Sequence, residues 1–218
     1  MKHLRTYLPE EETAKVLRCH QREIARFIQA QMQGHCWEKV VEHEVVVKQG
    51  FSDMKACAYS ATANESPIDF RQAPADKSNM ARYLFGGFSK CLYPVEKFQS
   101  DPERKLAVIL EREAIKWFRP PKGQFQIIYR WQTEHREYQP DFVAETKDVI
   151  YMLEPKRRDQ VADPEVVAKK DVAVKWCKHA SDHAKTYSGK PWKYVLIPHD
   201  EIAENMTLVG LAQRFSKE

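Results

Sequence analysis

Apolar positions along this chain follow helical and strand-like spacings in turn. Over residues 9–33, PEEETAKVLRCHQREIARFIQAQMQ, the residues Val16, Leu17, His20, Ile24, Phe27, Ile28 and Gln31 recur at helical spacing behind an acidic first turn, which predicts a helix. The next stretch, KVVEHEVVVKQGFSDMKACAYS, is rich in β-branched residues and broken at Gly50, predicting two strands or a hairpin. From about Ala61 to Gln99 the regular spacing is lost. NESPIDFRQAPADKSN has the composition of a loop, and LFGGFSKCLYPVEKF sets a glycine pair among aromatics.

The second half is more regular. SDPERKLAVILEREAIKWF predicts a helix that starts in one of two ways: Asp101 as N-cap with Pro102 at the first helical position, or Ser100 and Glu103 as a capping box. Glu103 falls in the middle of the stripe made by Leu106, Ala107, Leu110, Ala114 and Trp117, whereas Glu111 and Glu113 lie off it and are expected in solvent. QFQIIYRW and REYQPDFVAE read as strands separated by a polar turn, and DVIYMLEPK as a third strand reached through ETKD. DPEVVAKKDVAVKWCKHASDHAKTY is a long helix and KPWKYVLIP a fourth strand. The order is helix, three-stranded meander, helix, strand, which predicts an α/β domain with a mixed central sheet flanked by helices. That domain spans residues 100–218, with residues 1–99 as an α+β N-terminal extension.

Composition narrows the class. With 218 residues and 43% hydrophobic content, a substantial core can form. No run of roughly 18 apolar residues is present, so no membrane span is expected, and the start MKHLRTYLPEEE lacks the apolar segment of a secretory signal. Five scattered cysteines, none spaced C-x-x-C, argue for a reducing, cytoplasmic location and against a disulfide framework or a structural zinc site. A net charge of +4 permits nucleic-acid binding without requiring it. The local basic clusters EPKRRD and VAKKDVAVKWCKH are more informative than the total.

The candidate chemistry lies where charge interrupts the strands. Alternation puts Met152, Glu154 and Lys156 on one face, successive members roughly 6–7 Å apart. A strand carrying Asp141 alongside would bring Asp141 level with Glu154 on that face. Two such carboxylates repel unless a cation lies between them, and hard oxygen ligands suit Mg²⁺ or Mn²⁺. Lys156 fits a group that positions a metal-bound water or stabilises a pentavalent phosphate, making a phosphodiester-hydrolysis site. Pro155 cannot donate to a ladder, but its carbonyl could be a further ligand. Each residue also has a plainer role. Glu154 and Lys156 could form a same-face salt bridge, Asp141 after Pro140 could be a turn residue, and Glu103 could be a cap. Lys169, on the stripe of Val166, Ala173, Cys177, Ala180 and Ala184, either snorkels or reaches a scissile phosphate, with Lys170 at the stripe's margin. Arg157 and Arg158 either contact a DNA backbone or solvate a strand end. On the residues alone both sets of readings stand.

YQPDFV followed by VIYMLEPK resembles the PD-(D/E)xK nuclease superfamily, whose core is helix, three-stranded meander, helix, strand. LFGGFSKCLYPVEKFQSDPERKLAVILE, DPEVVAKKDVAVKWCKHASDHA and KPWKYVLIPHDEI are similar to the C-terminal nuclease regions of type III restriction enzyme Res subunits and related DEAD/DEAH-box helicase–nucleases. The likeness runs from about Tyr83 to Ala203. It implies a Mg²⁺-dependent DNA endonuclease in which Asp141 and Glu154 are metal ligands, Lys156 is the catalytic lysine, Glu103 is the acid of the first core helix and Lys169 is a supporting basic residue of the second. Pro155 departs from the small or β-branched residue the pattern expects. The resemblance further implies DNA, a helicase motor and a modification (methyltransferase) subunit as partners. No G-x-x-x-x-G-K-[ST] loop occurs, so no ATP site is expected in this chain. The expectation is a nuclease domain separated from its motor, with residues 1–99 linking to it or lining the DNA path. Two other activities share the site: a catalytically silent DNA-binding scaffold and a structure-selective repair nuclease.

Overall fold

The computed structural model describes residues 9–33, 53–59, 66–125, 127–131 and 134–216. The chain divides into two compact units, Met1–Val47 and Lys48–Glu218. The expected boundary at residue 100 does not coincide with this division, because residues 66–99 pack into the same core as the segment that follows them.

In the first unit, α1 (Glu10–Gln33) occupies the predicted range, with a kink at His20. The strands expected from about residue 39 lie mostly outside the described residues, and residues 53–59 carry neither helix nor strand.

The second unit opens with a small sheet where only loops are expected from the sequence. β1 (Ile68–Asp69) pairs parallel with β2 (Phe85–Gly86), which pairs antiparallel with β3 (Val95–Glu96). A 3₁₀ segment, Lys77–Arg82, joins the first two and is capped by Asp76. Gly87 follows with φ +85°, a conformation in which a side chain would be strained.

α2 (Asp101–Glu113) begins by the capping-box route. Ser100 is the N-cap, its Oγ accepting from the Glu103 N–H at 3.4 Å, while the Glu103 carboxylate accepts from the Ser100 hydroxyl and from the Gln99 N–H. β4 (Lys116–Phe118) follows, then the hairpin β5 (Ile127–Trp131) and β6 (Glu134–Tyr138), then β7 (Phe142–Glu145) and β8 (Ile150–Lys156). α3 (Pro164–Lys185) crosses to β9 (Trp192–Pro198), and α4 (Leu208–Phe215) closes the described chain.

The main sheet has the order β4-β7-β8-β9, antiparallel except for the parallel β8–β9 pair. The meander therefore differs from expectation. Its first strand is the short KWF segment, and QFQIIYRW belongs to a separate two-stranded hairpin inserted between β4 and β7. REYQPDFVAE is two strands, not one, because Gln139-Pro140-Asp141 interrupts it and Pro140 has no N–H for a ladder.

Alternation along β8 separates two apolar layers. Leu153 joins Phe142, Val195 and Ile197 against Leu106, Ile109 and Leu110 of α2, with Phe70, Phe85 and Phe98 from the small sheet and Leu211 from α4. Met152 faces the other way, with Tyr194 and Leu196, against Val166, Ala173 and Cys177 of α3 and Tyr138 of the hairpin. The result is a mixed sheet flanked by helices. α2 is covered on more than one side, which corrects the expectation for Glu111. Glu111 is 8% exposed and accepts from the N–H groups of Ser89, Lys90 and Cys91, the Ser89 hydroxyl and the Trp117 indole. Glu113 likewise accepts from the Leu208 N–H at 2.7 Å. No helix among the described residues is long and apolar enough to cross a membrane.

Candidate active site

Glu154 and Lys156 lie at the C-terminal end of β8, and Asp141 lies just before β7. Phe142 is the register partner of Leu153, so continuing that antiparallel pairing by one residue sets Asp141 opposite Glu154. Directly opposite residues share a sheet face, here the face of Met152 and Tyr138.

Glu154 is 5% exposed, and both of its oxygens are engaged. Oε2 accepts from the Tyr138 hydroxyl at 3.0 Å, and Oε1 lies 3.3 Å from Lys156 Nζ. Burial raises the Glu154 pKa above the usual carboxylate range, against the opposing pull of Lys156, the Tyr138 hydroxyl and the more distant Lys169. Asp141 is only partly covered at its surface but is densely surrounded by protein. Burial pushes it up to about 8, the charges of Glu154 and Glu103 add to the effect, and Arg119 and Lys156 only partly offset it. These two carboxyls have too little positive charge between them.

Glu103 is near enough to act on Asp141, but its carboxylate is already committed to the cap and to Arg119, 3.0 Å away. Arg119 is a site residue that the sequence reading does not single out. Its guanidinium lies over the Phe98 and Phe142 rings, donates to the Asp141 carbonyl at 3.4 Å, and also donates to the Lys97 carbonyl. It joins α2, β3 and the start of β7. His199, just after β9, is a second such residue. Burial lowers its pKa, helped by Lys156 and Arg157 and opposed by Glu103 and the Pro155 backbone. Nothing in the sequence pattern marks either residue, because both reach the site from connections outside the periodic segments.

Pro155 is buried and lies two residues beyond Leu153, the last β8 residue paired with β7, where among the described residues β8 is paired only with β9. This is how a proline fits within the strand: past the last β7 pair, β8 has a neighbour on one side only. Lys169 is bound to Glu165 at 3.0 Å and lies over the Tyr129 ring. Lys170 is partly exposed on the same helix. Arg157 pairs with Asp159 at 2.7 Å, and Arg158 with Asp200 and Glu201, each at 2.6 Å. All three arginine pairs are exposed on at least the arginine side, so they are weak and open to exchange for a phosphate.

Among the described residues, no group of three or more His, Cys, Asp or Glu side chains comes together as a metal cage. The residues that could hold a cation are Asp141 and Glu154, set opposite each other by the extended register, with the carbonyl of Pro155 next to Glu154 in the chain. That set fits Mg²⁺, which commonly takes one or two carboxylates and completes its shell with water and substrate phosphate. The unbalanced charge at Asp141 is the feature a divalent cation would relieve.

Compared with known proteins, the chain matches no family model, and no curated protein matches it significantly.

Proposed function

We propose that this chain is a Mg²⁺-dependent DNA endonuclease built on a PD-(D/E)xK core, serving as the nuclease portion of a type III restriction-like or helicase-associated system. The observation that carries the reading is the β7–β8 register, which continued by one residue sets Asp141 opposite Glu154, two carboxyls raised chiefly by burial and, at Asp141, also by the charge of Glu154, with Lys156 held 3.3 Å from Glu154.

In this reading Asp141 and Glu154 hold the metal, with the Pro155 carbonyl as a further donor. When bound, Mg²⁺ supplies a low-pKa water and neutralises charge at the phosphate. The side chains have separable tasks. The Tyr138 hydroxyl fixes one oxygen of Glu154, and Lys156 holds the other in place. The remaining N–H donors of Lys156 face the attacking water or a non-bridging phosphate oxygen. Glu103 and Arg119 position Asp141 from the α2 side. Lys169, Lys170, Arg157 and Arg158 hold the strand by its backbone, which carries little sequence information. Recognition is then supplied by partners, namely a motor and a modification subunit.

The test is cleavage of supercoiled plasmid in Mg²⁺, Mn²⁺ and EDTA by wild type, Asp141→Asn and Lys156→Ala. Nicking or linearisation by wild type in either metal, lost in EDTA and reduced at least 100-fold in both variants, is the expected result. Equal cutting by wild type and variants would overturn the assignment. Salt-sensitive but metal-indifferent DNA binding without cleavage would favour a silent scaffold.

A further inference from the structure

Asp141 also lines a cavity of about 480 Å³, a volume in the range of small-ligand pockets and far too small for a duplex. Its lining is electrostatically one-sided. Lys97, Arg119 and Lys122 line it, with Asp141 the one acid among the described lining residues; Arg119 is paired with Glu103, so the charge offered to a ligand is chiefly that of exposed Lys122. Such a lining favours an anion and places it beside the candidate centre.

The rest of the wall is suited to a base and sugar. Pro120, Pro121 and Pro140 provide rigid apolar surface. Gln139 donates its amide N–H to the Pro120 carbonyl at 2.5 Å, which leaves its side-chain oxygen as an acceptor on the rim. The opposite wall is residues 56–59, fastened to the core at three points. The Lys55 N–H donates to the Gln124 side chain at 2.9 Å, the Lys55 carbonyl accepts from the Tyr93 hydroxyl at 2.7 Å, and the Tyr59 hydroxyl donates to Glu96 at 2.5 Å. Glu96 is fully buried, so this last anchor lies within the body of the unit. The cavity is therefore held from both sides by bonded segments.

We infer that this cavity receives one unpaired nucleotide of the substrate strand, adjacent to the phosphodiester presented to Asp141 and Glu154. The enzyme then favours single-stranded or frayed DNA over a fully paired duplex. A nucleotide enters a pocket of this size only when it has left the stack, as in enzymes that extrude their target. Lys122, exposed at the rim, is the residue whose charge is available to capture the strand. This inference rests on the nuclease reading for the identity of the neighbouring phosphate, but the cavity's ligand class can be tested by itself.

The full chain, in EDTA, is titrated calorimetrically with thymidine 5′-monophosphate and separately with inorganic phosphate. Saturable nucleotide binding is expected, at least ten-fold weaker in Lys122→Glu and unchanged in Lys185→Glu, the same charge reversal at an exposed lysine of the last turn of α3, with inorganic phosphate at least ten-fold weaker than the nucleotide. In Mg²⁺, wild type should cut single-stranded oligonucleotides at least five-fold faster than the blunt duplex, and Lys122→Glu should lose that preference. Absence of nucleotide binding, equal binding of inorganic phosphate, or indifference to Lys122→Glu would each overturn the inference. Cleavage without nucleotide binding removes the cavity's role and leaves the nuclease reading intact. Nucleotide binding without cleavage of any DNA removes the nuclease reading and leaves the cavity's ligand class standing.

Discussion

At the scale of single residues, the crowding at Asp141 has a thermodynamic consequence that can be measured without any substrate. A carboxyl raised to about 8 keeps its proton in the folded chain at pH values where the unfolded chain has lost it. The native state therefore binds more protons, and stability falls as pH rises between about 4 and 8. Each tenfold difference in proton affinity between the folded and unfolded chain is worth about 1.4 kcal/mol, but the charge is shared with Glu154, so a loss of about 2–4 kcal/mol across that window is expected. Asp141→Asn removes the repulsion and should raise metal-free stability at pH 8 by about 1–3 kcal/mol. On the proposed function it should also abolish any stabilisation by Mg²⁺, which would act by binding the native state. Denaturant unfolding of both proteins at pH 8, with and without Mg²⁺, checks this, and a less stable Asn variant in EDTA would contradict it. A smaller effect is expected at Tyr138, whose hydroxyl donates to buried Glu154. Tyr138→Phe should cost about 1–2 kcal/mol through the unsatisfied carboxyl and lower activity without eliminating it, a split to be read from unfolding curves and plasmid cleavage together.

At the scale of elements, α2 organises the second unit. Arg104, 1% exposed, bonds Asp101, the Phe70 carbonyl and Glu204, and Arg112 reaches the carbonyls of Glu204 and Met206. These two arginines therefore tie the small sheet and the C-terminal segment to the helix. Glu111 holds the Ser89–Cys91 turn. Burial opposes its charge, but donors from Ser89, Lys90 and Trp117 outweigh that and hold its pKa below the usual range. Glu111→Ala leaves those donors unpaired and should cost about 3 kcal/mol or more, whereas Ser100→Ala, losing only the cap, should cost about 1 kcal/mol. Chemical denaturation of the two variants measures the difference, and equal losses would sink the distinction. The contrast also explains what is legible in the sequence. α2, β8, α3 and β9 are readable because each is long and periodic. The alignment of Asp141 with Glu154 follows from a period of two and antiparallel pairing. β4 escapes a sequence reading because three residues carry no period, and the hairpin is drawn into the main sheet because pattern does not name a strand's partner. α4, eight residues with Gly210 inside, has too weak a signal. Glu111 is expected in solvent because a helical wheel assumes one buried face, and α2 has more than one.

At the scale of the whole molecule, opposing sets of perturbed carboxyls determine where on the pH axis the second unit is most stable. Glu111 and Asp101 titrate below their usual values, so the stability they confer is complete above the unfolded carboxylate range and disappears as pH falls through their folded values. Asp141, Glu154 and Glu96 shift the other way. Glu96 is pushed up to about 7 by burial, against the hydrogen bond from Tyr59 and the charge of Arg119, and one of its oxygens has no hydrogen-bond partner among the described residues. The stability these three confer is complete below the unfolded range and is lost as pH rises through their folded values, a window ending at about 7 for Glu96 and about 8 for Asp141. The two sets together place the metal-free maximum near pH 4–5, below the roughly pH 5–8 optimum common among proteins. On the proposed function Mg²⁺ binds the deprotonated pair, so its stabilisation should grow with pH and move the maximum upward. Glu96→Gln removes one acid outside the proposed metal site and should flatten the decline between about pH 4.5 and 7 in EDTA, while leaving the Mg²⁺ shift in place. Melting temperatures from pH 4 to 9, with and without Mg²⁺, provide the test. A metal-free profile that rises between pH 5 and 8 would show that the buried acids are compensated within the chain, and the charge argument for a cation site would fail with it.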